Sequence, residues 1–165
     1  SIRYSPSNRA WTTREPRCEL EFVGGTSPET GPDNWSQSWS IQGDSQAMRA
    51  AVEAVHAALS KWDWDETAAF AVRLALEEGL TNALRHGHGG DRSLVINFGC
   101  TIGARSIELE IEDQGPGFEP ETVPDPTADE NLTIASGRGL ALMRAFMTSV
   151  QVHPPGNKLS MTLER

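Results

Sequence analysis

Lysine is almost missing from this chain: Lys61 and Lys158 are the two it has in 165 residues. With 14 basic against 23 acidic residues, the formal net charge is −9. A nucleic-acid binder needs a basic face to meet phosphates, and no part of the sequence offers one, so that class is excluded as an expectation. Cysteine is scarce as well. Cys18 and Cys100 match no metal-binding or redox spacing and are expected to be free thiols of a reducing cytosol. His86 and His88 form no zinc pattern with them. Long apolar runs are lacking too. The best candidate, Phe70 to Leu80, is interrupted by Arg73, Glu77 and Glu78 and falls short of a membrane span. The first residues carry no basic-then-apolar leader pattern, and the expected location is the cytoplasm. There is no G-x-x-x-x-G-K-[ST] phosphate loop, and neither the H-R-D loop nor the V-A-I-K strand of ordinary protein kinases.

What is present reads as one globular unit. The 38% hydrophobic and 22% charged fractions are ordinary for a soluble domain, and the length suffices for a real core. Residues 1–35, rich in Ser, Thr, Pro, Gly and Arg, read as an extension in which Cys18 to Val23 could add an edge strand; residues 36–165 read as the domain. Ser38 to Ile41 predicts a strand. Met48, Val52, Val55 and Leu59 predict an amphipathic helix that opens after the turn at Gly43, Asp44 and Ser45. Asp65 is placed to cap a second helix running to about Arg85, with Phe70, Leu74 (or Ala71), Leu76, Leu80 and Leu84 on its apolar side and Gly87 as its stop. Leu94 to Cys100 predicts a strand. Ile107, Leu109 and Ile111, alternating with Glu108, Glu110 and Glu112, predict another with one dry and one wet face. The polar, Pro-rich stretch from Glu119 to Ser136 has the character of a lid. A third helix from Leu140 to Met147, then Val150 to Val152, a turn at Pro154 to Asn157, and a strand through Leu159, Met161 and Leu163 complete the order. The expected fold is α+β: a two-layer sandwich with helices on one face of a mostly antiparallel sheet.

Three short motifs carry chemistry. Glu78, Asn82 and His86 recur at a spacing of four, which drifts by only about 40° per step and keeps them on one helical face. The Asn82 carbonyl is a hard neutral oxygen suited to Mg²⁺, and a carboxylate one turn away can accept the proton of a hydroxyl. Asp113, Gly115 and Gly117 follow the cleanest strand. A carboxylate there can accept from an exocyclic amine such as that of adenine, and the glycines let backbone approach a ligand. Gly137, Arg138, Gly139 and Leu140 open the third helix, whose exposed N–H groups can hold an anion beside a charged side chain. Each motif alone also fits a plain structural role: a solvated helix face, a Gly-Pro-Gly turn, a glycine-rich connection. Together, in this order, they read as a nucleotide site for ATP and Mg²⁺.

With these motifs the chain resembles the GHKL ATPases, whose shared unit is the Bergerat ATP-binding fold. Glu78, Asn82, Ala83, His86 and Gly87 look like the N box; Asp113 to Gly117 and Gly137 to Leu140 look like the two glycine boxes. The likeness covers about residues 36–165 and is closest to the anti-sigma-factor serine kinases of the RsbW type. It implies Asn82 as Mg²⁺ ligand, Glu78 as general base, Asp113 as the adenine-recognising carboxylate, and Gly137, Arg138 and Gly139 on the phosphates. It also implies phosphorylation of a serine on a STAS-type anti-anti-sigma partner, sequestration of a sigma factor, and compatibility with a homodimer. Some relatives carry Gly-Thr at the entrance to the last strand, where this chain has Gly156-Asn157. Two other readings compete: a non-catalytic module that binds ATP and sequesters its partner, and a detached histidine-kinase-like ATPase domain. For the latter, His56 is followed by Ala57 and Ala58 and not by an acid, so it reads as a helix-surface residue and not a phospho-acceptor.

Overall fold

The structure, a computed structural model, describes residues 26–31, 33–42, 45–87, 91, 93–117 and 135–165. Among the described residues six strands form one sheet: β1 (Glu29–Thr30), β2 (Asn34–Gln42), β3 (Val95–Gly103), β4 (Ser106–Asp113), β5 (Ser149–His153) and β6 (Lys158–Glu164). Their spatial order is β1-β2-β3-β4-β6-β5, and every pairing is antiparallel. Three α-helices among the described residues, α1 (Ser45–Lys61), α2 (Glu66–Asn82) and α3 (Ala135–Phe146), cover one face. This is the two-layer α+β sandwich expected from the element order.

The period-two pattern explains which face is covered. Trp39, Phe98, Ile111 and Leu159 are successive cross-strand partners from β2 to β6, and they meet Val55, Leu59, Leu76, Leu80 and Met143 from the helices in one core. Trp39 stacks on Phe98 with ring centroids 4.7 Å apart. Cys100 lies in this core as a free thiol, and burial pushes its pKa well above the usual range, which keeps it protonated and unreactive. The opposite face is wet. Ser40 Oγ donates to Asn97 Oδ1 at 2.8 Å, and Lys158 pairs with Glu110 at 2.8 Å.

Helix α2 starts where its cap predicts. Asp65 Oδ1 accepts from the Ala68 N–H at 2.8 Å. Replacing Asp65 with Ala is expected to lower unfolding free energy by about 1 kcal/mol, measurable as a reduced urea midpoint at unchanged m-value. The chain entering α2 is pinned to the sheet: Trp64 Nε1 donates to Gly103 O at 3.0 Å, and the Arg165 guanidinium lies 4.2 Å above the Trp64 ring.

Four details depart from expectation. The buried stripe of α2 is Ala68, Ala71, Val72, Ala75, Leu76, Gly79 and Leu80; Phe70 is 55% exposed and instead meets Phe146 of α3 edge-to-face at 5.5 Å. Small residues win that stripe because α2 lies close on β4: a Cβ on Gly79 would fall 2.6 Å from Ile111 Cδ1. After Asn82 the helix widens into a π turn, Ala83–Gly87, in place of an α-helix to Arg85. Strand β2 begins at Asn34 and β1 pairs Glu29 with Ser36, so the sheet reaches into the stretch expected to be an extension; pairing with β3 extends the strand beyond its apolar core. Finally, α3 begins at Ala135 and not at Leu140. The strand expected at Cys18 to Val23 lies outside the described residues, as does nearly all of the expected lid.

Candidate nucleotide site

Glu78 and Asn82 stand on the last two turns of α2, both half-buried. Their neighbour Glu77 faces away: it is exposed and pairs with Arg73 at 2.9 Å, one turn earlier. The helical phase therefore separates two adjacent carboxylates, one to solvent and one to the site. Above Glu78 and Asn82 lies Gly139, which is buried. A Cβ built on Gly139 would fall 2.5 Å from Glu78 Oε2 and 3.3 Å from Asn82 Nδ2. Only a residue without a side chain lets α3 come this close to the carboxylate. The first and third motifs, more than 50 residues apart in sequence, thus meet face to face.

The second motif closes the other end. Asp113 is the last residue of β4, and its Oδ1 accepts from the Gly115 N–H at 2.7 Å. The backbone of Gly87, which ends the π turn, presses against this carboxyl group, and Gly115 in turn presses against the Gly87 carbonyl. Gly117 has a φ of 78°, a left-handed conformation open to glycine, and its Cα faces the Pro155 carbonyl. The π turn after α2, the β4 end and the β5–β6 turn interlock through glycines.

Placement of the remaining predicted residues is mixed. The backbone of His86 lies in the π turn beside Gly87, while its side chain falls outside the described residues. Gly137 and Arg138 sit in the first turn of α3, so the glycine motif is inside the helix and does not precede it; the Arg138 side chain is likewise outside the described residues. The Leu140 side chain is 7% exposed and belongs to the hydrophobic core. His56 is exposed on α1, as its sequence context suggested. Sequence reading missed the part played by Asn157. Its side-chain amide donates to Asp113 O at 2.9 Å, and its own carbonyl accepts from the Asp113 N–H at 2.9 Å. The departure from Gly-Thr at this point was the one signal available.

The donor set limits what ion could be held. Among the described residues no group of three or more His, Cys, Asp or Glu side chains is arranged around a common point. A neutral amide oxygen beside one carboxylate suits Mg²⁺ that brings most of its ligands as phosphate oxygens and water, and suits Zn²⁺ poorly. No helix among the described residues is long and apolar enough to cross a membrane.

The profile of the histidine kinase-like ATPase domain family matches residues 41–163. An anti-sigma F factor from Clostridium perfringens strain SM101 is 33% identical over 89 residues, which cover 53% of this chain and 64% of that protein. A serine-protein kinase RsbW from Oceanobacillus iheyensis is 32% identical over 89 residues, covering 50% of this chain and 56% of the relative. The chain thus spans less than two thirds of either relative. Among solved structures, the crystal structure of the RsbU and RsbW domains of Rv1364c from Mycobacterium tuberculosis aligns with a TM-score of 0.50 at 17% identity, over 76% of this chain and 31% of that one. That likeness concerns the fold.

Proposed function

Because this chain belongs to the histidine kinase-like ATPase domain family, we propose that it is an ATP- and Mg²⁺-dependent protein serine kinase that regulates transcription as an anti-sigma factor. The observation that carries the proposal is the close approach of Gly139 to Glu78 and Asn82, which brings the Glu78 carboxylate and the Asn82 side-chain amide to one lining beside a glycine. Asn82 would hold Mg²⁺ through its carbonyl, and the ion would offset phosphate charge in this acidic, lysine-poor chain. Asp113 accepts from the adenine amine. Gly137, Arg138 and Gly139 are assigned to the phosphates by the resemblance, and Gly137 and Arg138 stand in the first turn of α3, where N–H groups without helical partners favour anions.

In the reaction the serine hydroxyl oxygen of the partner bonds to the γ-phosphorus, the bond from that phosphorus to the β–γ bridging oxygen breaks, and ADP leaves. The hydroxyl proton passes to the Glu78 carboxylate. Such transfer depends mostly on positioning and charge stabilisation, and the packing of Gly139 against Glu78 and Asn82 supports a fixed placement of these two side chains. The names carried by the relatives, anti-sigma F factor and serine-protein kinase RsbW, support a sigma factor as the sequestered partner and a protein serine as the acceptor; a STAS-type anti-anti-sigma protein as that acceptor follows from the family resemblance.

Two measurements test this. Titration with ATP, followed through tryptophan fluorescence with and without Mg²⁺, is expected to give saturable binding that tightens with the ion. Incubation with γ-labelled ATP and the STAS proteins of the same genome is expected to label one of them on serine. Saturable binding with no labelled partner would sink the kinase assignment and leave sequestration alone.

A further inference from the structure

The first glycine motif does not stand by itself. Strand β4 pairs with β6 up to Glu112 opposite Lys158, where the regular register ends. One step further, Asp113 lies across from Asn157, and the ladder continues in altered form. The Asp113 N–H donates to Asn157 O at 2.9 Å, as a backbone ladder would have it. The return bond to Asp113 O comes from the Asn157 side chain, Nδ2 at 2.9 Å. Four residues on, Gly117 lies over the same turn, with its Cα against the Pro155 carbonyl, and a Cβ there would sit 2.6 Å from the Pro155 carbonyl carbon. Both ends of the Asp113–Gly117 loop therefore rest on Pro154–Asn157. On the far side, Val95 N donates to Gln114 Oε1 at 2.9 Å, which ties the loop to β3.

We propose that the β5–β6 turn sets the base selectivity of the nucleotide site, with Asn157 as the positioning residue that holds the Asp113 main chain and thereby aims its carboxylate at the adenine amine. The proposal rests on the nucleotide-binding reading above and assigns it a specificity device. Asn157 reaches the ligand only through Asp113. Its bond fixes the peptide that follows the Asp113 Cα, and the direct bond from Gly115 N–H to Oδ1 transmits that orientation to the carboxylate. Selectivity of this kind depends on direction, because a carboxylate turned away from the amine loses the hydrogen bond without altering phosphate contacts.

The test compares binding of Mg-ATP with Mg-ITP, whose base has no exocyclic amine, to the full chain. Wild type is expected to prefer ATP. Asn157→Asp keeps the size of the side chain but sets a carboxylate against Asp113 O; it is expected to shrink the ATP-to-ITP affinity ratio about tenfold, with ITP affinity unchanged. Asn157→Ala, which removes the donor without adding a repulsion, is expected to shrink it less, and it serves if the first variant does not fold. A ratio equal to wild type in a folded variant overturns the proposal, as does an equal loss for both nucleotides, which would mark a purely structural role. Wild type that binds both nucleotides equally overturns the assignment of Asp113 together with it, and wild type that binds neither overturns the nucleotide site itself.

Discussion

Glu78→Gln is expected to slow phosphoryl transfer by a factor of about 10² to 10⁴ while changing ATP affinity little. The two side chains have the same shape, so the close approach of Gly139 to the head group survives, and so does the packing of α3 on α2. What the amide loses is the ability to take the serine proton as the oxygen–phosphorus bond forms. A matched control lies next door. Glu77 is exposed and paired with Arg73 on the outer side of α2, so Glu77→Gln removes a carboxylate one residue away and is expected to leave transfer unchanged. Single-turnover labelling of the partner gives the rate, and tryptophan fluorescence gives the affinity. Equal loss in both variants would point to a general electrostatic effect of the acidic helix. Full transfer in Glu78→Gln would remove the general base, whereas lost transfer with full partner regulation would favour sequestration.

The contrast between these two glutamates also shows where sequence reading succeeds and where it stops. Spacing alone placed Glu78 and Asn82 on one face of a capped helix, since that depends on helical geometry and a local Asp65 cap. The β4 alternation was equally plain, because each outward Glu follows an inward aliphatic residue. Phe70 misled because size suggests burial, whereas the contact between α2 and β4 is so close that alanines and Gly79 occupy it. The start of α3 was misplaced because Gly137 and Gly139 read as loop residues; Gly139 serves as a close-contact point inside the helix. The π turn and the role of Asn157 depend on which backbone lies opposite at long range, and no local pattern encodes that. The motifs were thus visible singly. Their convergence into one site is a property of the tertiary packing.

That convergence makes the glycines unequal, and Gly115→Ala is expected to be the most damaging change among them. A Cβ at Gly115 would overlap the carbonyl of Gly87, which is backbone at the end of the π turn and has no rotamer to escape into. Relief requires the Asp113 loop and the α2 terminus to separate, and the Gly87 backbone is itself pressed on the Asp113 carboxyl group. Overpacking of this kind typically costs about 1–3 kcal/mol of stability. Loss of ATP binding is expected to be larger, about a hundredfold, because the carboxylate proposed to recognise the base moves with the loop and several contacts fail together. Gly139→Ala differs in kind. Its Cβ would meet the end of the Glu78 side chain, which can swing aside, so transfer is expected to fall more than binding. Gly99→Ala is the neutral control: its nearest neighbour would be Ser38 Oγ at 3.7 Å, an ordinary contact on the wet face of the sheet. Chemical denaturation and nucleotide titration on the three variants resolve the ranking. If Gly115→Ala binds ATP as tightly as Gly99→Ala, the junction of the π turn with the β4 end is not part of the nucleotide site, and base recognition must be sought on another wall of the cleft.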